Sequence, residues 1–130
     1  MTKRKLIEIV ACSTATIAIC TMAGCGSGPP APAEPMAARE ALDRALGAWK
    51  DGKSAESLKS DNPAIVVSDH LWNKGAPLIK YEIEKGDHRN GANQRFKVVL
   101  WFKDEKGKEK KEKTEYDVGT DPVITVVRPF

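Results

Sequence analysis

The chain has 130 residues, with 21 Lys and Arg against 18 Asp and Glu, and three cysteines. This length allows one domain with a modest core, which excludes a large multidomain enzyme, a two-lobed nucleotide-binding fold and a polytopic transporter. The formal charge of +3 and the odd number of cysteines both depend on the first residues, so those residues are considered first.

Residues 1–24 have the pattern of an export signal. A basic start, Met-Thr-Lys-Arg-Lys, precedes a mostly apolar run from Leu6 to Ala23 that Glu8 interrupts. The uninterrupted stretch from Ile9 is about a dozen residues, which suits a signal peptide and is shorter than the roughly 20 residues of a membrane span. We therefore predict a signal peptide over residues 1–24.

The segment Met22-Ala23-Gly24-Cys25 resembles the lipobox of bacterial lipoproteins. The resemblance implies cleavage before Cys25, a diacylglyceryl thioether on its sulfur, and a further acyl chain such as palmitate on the new amino terminus. Two or more acyl chains give stable membrane attachment. The alternative is an ordinary signal peptide that leaves Cys25 unmodified. Gly26, rather than Asp, follows the cysteine, and the sorting pattern of some didermal bacteria then favours the outer membrane over other locations in the cell envelope.

Cleavage at this point changes the composition of the mature chain. It leaves 18 basic and 17 acidic residues, so the formal charge falls to +1. Two of the three cysteines leave with the signal, so neither a disulfide nor thiol catalysis is expected in the mature protein.

Residues 25–35 contain four prolines and no large apolar side chain. Such a segment predicts a partly extended tether, which would span roughly 30 Å at about 3.1 Å per residue. A proline-rich ligand for a partner's aromatic groove is the alternative. Residues 36–130 are predicted to form a single domain.

The clearest helical pattern covers residues 36–49. Apolar residues recur there at spacings of three and four, with charged residues on the other face. The apolar residues are Ala38, Ala41, Leu42, Ala45, Leu46 and Trp49. Pro35 suits the first turn and Gly52 the end, and we expect Trp49 to anchor the helix on a sheet.

After Pro63 the period changes to two, which indicates strands. Strands are predicted at Leu78–Glu84, Gln94–Lys103, Glu109–Val118 and Val123–Arg128, after a short extended segment at Ile65–Val67 and a helical turn capped by Asp69. One amphipathic helix followed by four hairpin-connected strands predicts an α+β fold, with the N-terminal helix across a four-stranded antiparallel sheet.

This order of elements resembles the cystatin-like and NTF2-like families, and more closely the small bacterial envelope lipoproteins of unassigned function that contain such a domain. The residues that carry the resemblance are Ala41-Leu42 through Trp49-Lys50-Asp51-Gly52-Lys53, Tyr81-Glu82-Ile83, and Tyr116 through Val126. The resemblance implies a fold and no catalytic residues. The Gln-x-Val-x-Gly loop with which cystatins inhibit proteases is absent, so that activity is not expected.

Catalytic and metal-binding patterns are not evident. His70 and His88 each follow an aspartate, but adjacent side chains diverge. There is no glycine-rich phosphate loop, GxSxG elbow, HExxH helix or cysteine-histidine zinc spacing. We therefore expect no enzyme activity, cofactor or metal. The alternative is a small NTF2-like enzyme with a shallow pocket near Asp69, His70 and Tyr81.

Interaction surfaces are suggested by two features of the predicted sheet. Val99 and Trp101 fall on its outward face, where an apolar pair predicts a contact site unless termini or loops cover it. Residues 103–113 carry six lysines and four acidic residues, which is typical of a solvated hairpin. A phosphate-binding patch is the alternative there, although interleaved acids and missing aromatics disfavour nucleic acid.

The expected function is therefore a lipid-anchored, non-enzymatic binding or assembly module of the bacterial envelope. Its expected partners are the membrane, through Cys25, and a protein that contacts the outward sheet face. A structural homodimer through that face is a further alternative.

Overall fold

The computed structural model describes residues 29–129 of the chain. The predictions for the signal peptide and for Cys25 lie outside these residues.

The described residues form an α+β domain. It contains the helices α1 (Pro35–Lys50) and α2 (His70–Asn73), a 3-10 helix (Ala55–Ser60), and the strands β1 (Ile65–Ser68), β2 (Leu78–Ile83), β3 (His88–Asn90), β4 (Asn93–Lys103), β5 (Glu109–Gly119) and β6 (Ile124–Val127).

The strands form one mixed sheet in the order β1-β6-β5-β4-β2, and the short β3 also pairs with β4. The long β4–β5 hairpin runs from Gln94 opposite Val118 to Lys103 opposite Glu109. Strand β1 pairs in parallel with β6, at the other end of the domain sequence. The predicted α+β class is confirmed, but the sheet has six strands and is mixed, where four antiparallel strands were predicted. A four-residue segment with a remote partner gives no local sign of how it pairs.

Helix α1 has the predicted bounds to within one residue at each end. The Glu34 carboxylate accepts hydrogen bonds from the backbone of Met36 (3.1 Å) and Ala37 (2.8 Å), and Pro35 occupies the first turn. Such a cap satisfies donors that the first turn leaves without intrahelical partners. The predicted apolar face is buried, and it contacts β1, β2, β4, β5 and β6.

The core lies between α1 and the inner face of the sheet. Its β4 side chains are the predicted inward set, Phe96, Val98, Leu100 and Phe102, each at most 6% exposed. Tyr116 and Val118 of β5 are fully buried beside them. The alternation of β4 and β5 therefore predicted the correct face, because a slip of one residue would have exposed the whole set.

The chain is attached to the domain before α1 begins. The Ala31 amide donates to Asp121 Oδ2 (2.8 Å), and the Ala33 amide donates to the Ala92 carbonyl (2.9 Å). Ala33 is buried. The segment predicted as a tether is thus held against the β3–β4 and β5–β6 turns from residue 31 onward. Within residues 29–129, no helix has the length and apolar character of a membrane span.

Candidate functional site

A groove of about 600 Å³ lies at the turn that joins β4 to β5. Helix α2 and the loop that follows it form one wall, and the hairpin turn forms the other. The apolar lining consists of Leu71, Ala76, Pro77 and Phe102. The charged lining consists of Lys74, Lys103, Lys106 and Lys110, together with Asp104 and Glu105. We call the four apolar residues the floor of the groove and the six charged residues its rim, in which cations outnumber anions.

The hairpin wall is held by Asp104. Its Oδ1 accepts hydrogen bonds from the backbone of Lys108 (2.8 Å) and Lys106 (2.9 Å). These bonds, first the one from Lys108, hold the pKa of Asp104 below its usual value. Gly107 has φ +78°, a conformation that glycine adopts without steric cost. The Asp104 carboxylate is thus committed to the turn.

The rim lysines have few ion pairs with acidic residues in the described part of the chain. Lys110 Nζ lies 3.9 Å from Asp104 Oδ2, which is a long ion pair. Within residues 29–129, no ion pair forms at Lys74, Lys103 or Lys106. The groove consequently has a positive local charge that its own acidic residues do not fully neutralise.

The opposite wall is held by Asp69, which caps α2 as predicted. Asp69 Oδ1 accepts hydrogen bonds from the backbone of Leu71 (2.9 Å) and Trp72 (3.3 Å). Its Oδ2 accepts a hydrogen bond from the Tyr116 hydroxyl. Because Asp69 is 2% exposed, its charge needs a buried counterion.

Arg128 supplies that counterion. Its guanidinium is almost fully buried, with Nη2 3.5 Å from Asp69 Oδ1 and Nη1 donating to Glu112. Arg128 Nε and Nη2 have no hydrogen-bond acceptor within the described part of the chain. The guanidinium carbon lies 6.0 Å from the Tyr116 ring centroid. Burial, followed by the charge and hydrogen bond of Asp69, raises the pKa of Tyr116 far above its usual value.

The sequence patterns did not reveal this cluster of buried Asp69, Tyr116 and Arg128 with the partly exposed Glu112. One signal was present, since the alternation of β6 places Arg128 on the same face as Val126, which is buried. An arginine on a core face requires a buried acid, but alternation does not say which one.

Two tryptophans join α2 to the rest of the domain. The Trp49 and Trp72 rings stack with centroids 5.5 Å apart and planes 8° from parallel. Trp49 Nε1 donates to the Ala76 carbonyl (2.7 Å), and Trp72 Nε1 donates to the Lys53 carbonyl (2.9 Å). Trp49 was predicted to anchor α1 on a sheet, and in the structure its buried ring stacks on Trp72 of a second helix.

The residues of the alternative enzyme pocket, Asp69, His70 and Tyr81, are not brought together at their functional groups. Tyr81 Oη donates to Asp43 Oδ1 on α1 (2.6 Å), whereas Asp69 is bonded to Tyr116. Strands β1, which precedes Asp69, and β2, which carries Tyr81, are at opposite edges of the sheet. His70 is exposed on α2.

The environment of Tyr81 gives a testable titration. Burial, followed by the hydrogen bond to Asp43, raises its pKa to about 12. The chain has two tyrosines, and both have raised pKa values. We therefore expect no phenolate absorbance near pH 10 in the native protein, and a first step near pH 12 that Tyr81→Phe removes.

The same shift has a consequence for stability. Unfolded tyrosine loses its proton near pH 10 while native Tyr81 keeps it, so the contribution of Tyr81 to stability is complete below about pH 10 and falls as the pH rises toward 12. Asp43→Asn is the matched control, because it should move the step toward the ordinary tyrosine value. A phenolate that formed near pH 10 while circular dichroism remained native would contradict this description.

On the outward face of the sheet, Val99 and Trp101 have charged residues as neighbours on both adjoining strands. Val99 is 4% exposed and lies between Glu82 and Lys113 in the register of the sheet. The Trp101 ring has Lys80 Nζ 4.6 Å and Lys111 Nζ 5.3 Å from its centroid. Lysines from both neighbouring strands thus flank the indole ring through cation–π contacts.

Metal and family comparisons add no assignment. Within residues 29–129, no group of three or more His, Cys, Asp or Glu side chains is placed to hold a metal ion. In comparisons with known proteins, no family model, no curated protein and no solved structure matched the chain.

Proposed function

We propose that this protein is a lipid-anchored binding module of the bacterial envelope that presents the groove at the hairpin end to a ligand. The observation that carries the proposal is the position of the groove, at the end of the sheet opposite to the point where the N-terminal segment joins the domain.

The two ends of the sheet are well separated. The N-terminal segment is held at Ala92 and Asp121, beside the first residue of β4. Phe102 and Lys103, the last two residues of β4, line the groove. An 11-residue strand is about 34 Å long at roughly 3.4 Å per residue. A domain anchored through residues 25–30 therefore has its groove directed away from the bilayer.

The short interval between Cys25 and the first bonded residue of the domain supports close attachment. Because Ala31 is already bonded to Asp121, only the residues between Cys25 and Ala31 separate the anchor from the domain. This interval spans roughly 20 Å at about 3.1 Å per residue, shorter than the roughly 30 Å that the whole proline-rich segment would give. The domain would lie beside the membrane that carries it.

The chemistry of the groove favours binding over catalysis. Its described lining contains no His, Cys, Ser, Thr or Tyr, and of its two acids, Asp104 and Glu105, the first is committed to the hairpin turn. General acid–base catalysis needs a positioned group with a pKa near the working pH.

We also propose that the packing of α1 on β2, β4, β5 and β6 corresponds to the helix on an antiparallel meander of the cystatin-like or NTF2-like families. Strands β1 and β3 would then be additions to that arrangement.

The anchor is tested by metabolic labelling with palmitate in the producing bacterium. We expect the wild-type chain to incorporate label and Cys25→Ser to lose it completely. Cys20→Ser is the matched control, because this residue lies in the predicted signal peptide and its loss should leave the mature chain labelled. Label retained by Cys25→Ser would overturn the proposed anchor.

A further inference from the structure

We infer that the groove binds a small amphipathic anion, in which a carboxylate or phosphate group is joined to an apolar chain. The inference rests on the proposed binding function and names the class of ligand.

The apolar part of the ligand is indicated by the floor. Leu71, Ala76, Pro77 and Phe102 come from two separate parts of the sequence and line one continuous groove. The volume of about 600 Å³ is within the range of small-molecule sites, in which apolar side chains bury most of the ligand and a few polar groups orient it. The apolar segment of a ligand would therefore displace water from this floor.

The anionic part is indicated by the rim. Lys74 follows α2, Lys106 lies in the hairpin turn, and Lys103 and Lys110 lie at the adjoining strand ends. Three of these four ammonium groups form no ion pair within residues 29–129. Like charges at one rim repel each other, and a bound anion replaces that repulsion by attraction.

A small ligand fits these observations better than a polymer does. Glu105 lies within the rim, and Glu109 and Glu112 alternate with lysines along β5, so a long polyanion would meet repulsive charges beyond the groove.

Octanoate is a suitable probe, with acetate as the anion without the chain and octan-1-ol as the chain without the charge. The full chain is purified as the cell produces it, in nanodiscs of zwitterionic lipid if it is acylated and in buffer if it is not. Ligand-observed NMR then measures binding after subtraction of empty nanodiscs. We expect saturable octanoate binding, with acetate and octan-1-ol each at least about tenfold weaker, since a charge-assisted contact and a buried chain each contribute at least that factor.

Charge reversal identifies the site. Lys74→Glu and Lys106→Glu should each weaken octanoate binding about tenfold or more. Lys113→Glu is the matched control, because Lys113 belongs to the same hairpin but pairs in register with Val99 on the outward face. Its affinity should stay within about twofold of wild type, as expected for a distant surface charge. The urea midpoints of all three variants check that the fold is retained.

Several outcomes would overturn the inference. Absence of octanoate binding would exclude this ligand class. Acetate binding equal to that of octanoate would show that the groove recognises only the anion, and equal binding of octan-1-ol would show that it recognises only the apolar chain. Tighter binding of a tetraglutamate peptide would show an acidic-peptide site. An equal loss in Lys113→Glu would show non-specific charge attraction. If the wild-type chain incorporates palmitate but does not bind octanoate, the ligand class alone is overturned. If it binds octanoate but incorporates no palmitate, the anchor alone is overturned.

Discussion

Asp69→Ala is expected to lower the free energy of unfolding by about 3–5 kcal/mol, which is the usual effect of breaking a buried ion pair from one side. The substitution removes the acceptor of the Tyr116 hydroxyl and the cap of α2 together. It also leaves the buried Arg128 guanidinium with Glu112 as its remaining carboxylate partner. A buried donor without an acceptor retains its full cost of desolvation.

Urea denaturation followed by circular dichroism measures this loss. The double variant Asp69→Ala/Arg128→Met should recover part of the stability, because it removes the uncompensated charge as well as its partner. Glu112→Gln is the matched control, since Glu112 contacts the same guanidinium but its side chain is 45% exposed, and we expect a loss of about 1 kcal/mol or less. A loss below about 1 kcal/mol for Asp69→Ala would show that the cluster does not support the fold.

Trp72→Ala is expected to cost about 3–5 kcal/mol, as removal of large buried aromatic side chains does. Trp72 is 6% exposed and stacks on Trp49, and its ring nitrogen donates to the Lys53 carbonyl. The loss would leave a cavity between α1 and α2 and the Lys53 carbonyl without its indole donor.

Two further variants separate these causes. Trp72→Phe keeps an aromatic ring against Trp49 and removes the indole hydrogen bond, so it should cost about 1–2 kcal/mol. Trp101→Ala is the control for loss of an indole outside the core, with an expected cost of about 1 kcal/mol from its cation–π contacts. Equal losses for Trp72→Ala and Trp101→Ala would contradict the distinction between the core and the outward face.

The groove depends on both of these features. Asp69 and Trp72 hold α2, and α2 carries Leu71 at the groove wall. The destabilised variants should therefore be compared with wild type for octanoate binding only under conditions where circular dichroism shows that they are folded.

Several parts of the fold could be predicted from local patterns. The apolar spacing of α1, the alternation of β4 and the capping role of Asp69 each involve residues within a few positions of one another. Short-range geometry decides such features, because a helix turn or a strand face repeats over two to four residues.

The candidate site could not be predicted in this way. The groove combines the α2 loop with a hairpin turn about thirty residues later in the chain, and each part taken alone is an ordinary polar segment. The outward position predicted for Trp101 agrees with its register beside Lys80 and Lys111, but the alternation of β4 did not show that lysines would flank the ring.

Local patterns were sufficient to predict the helix face and the strand faces, and the opening residues predict an export signal and a lipid anchor at Cys25. The parallel pairing of β1 with β6 and the contacts of Asp69 with Tyr116 and Arg128 became apparent only in the folded domain. Tertiary structure also decided that Ala31 is held at one end of the sheet while the groove opens at the other. The physical reason is that these relations join residues far apart in the chain, and they are chosen by burial and charge compensation rather than by local periodicity.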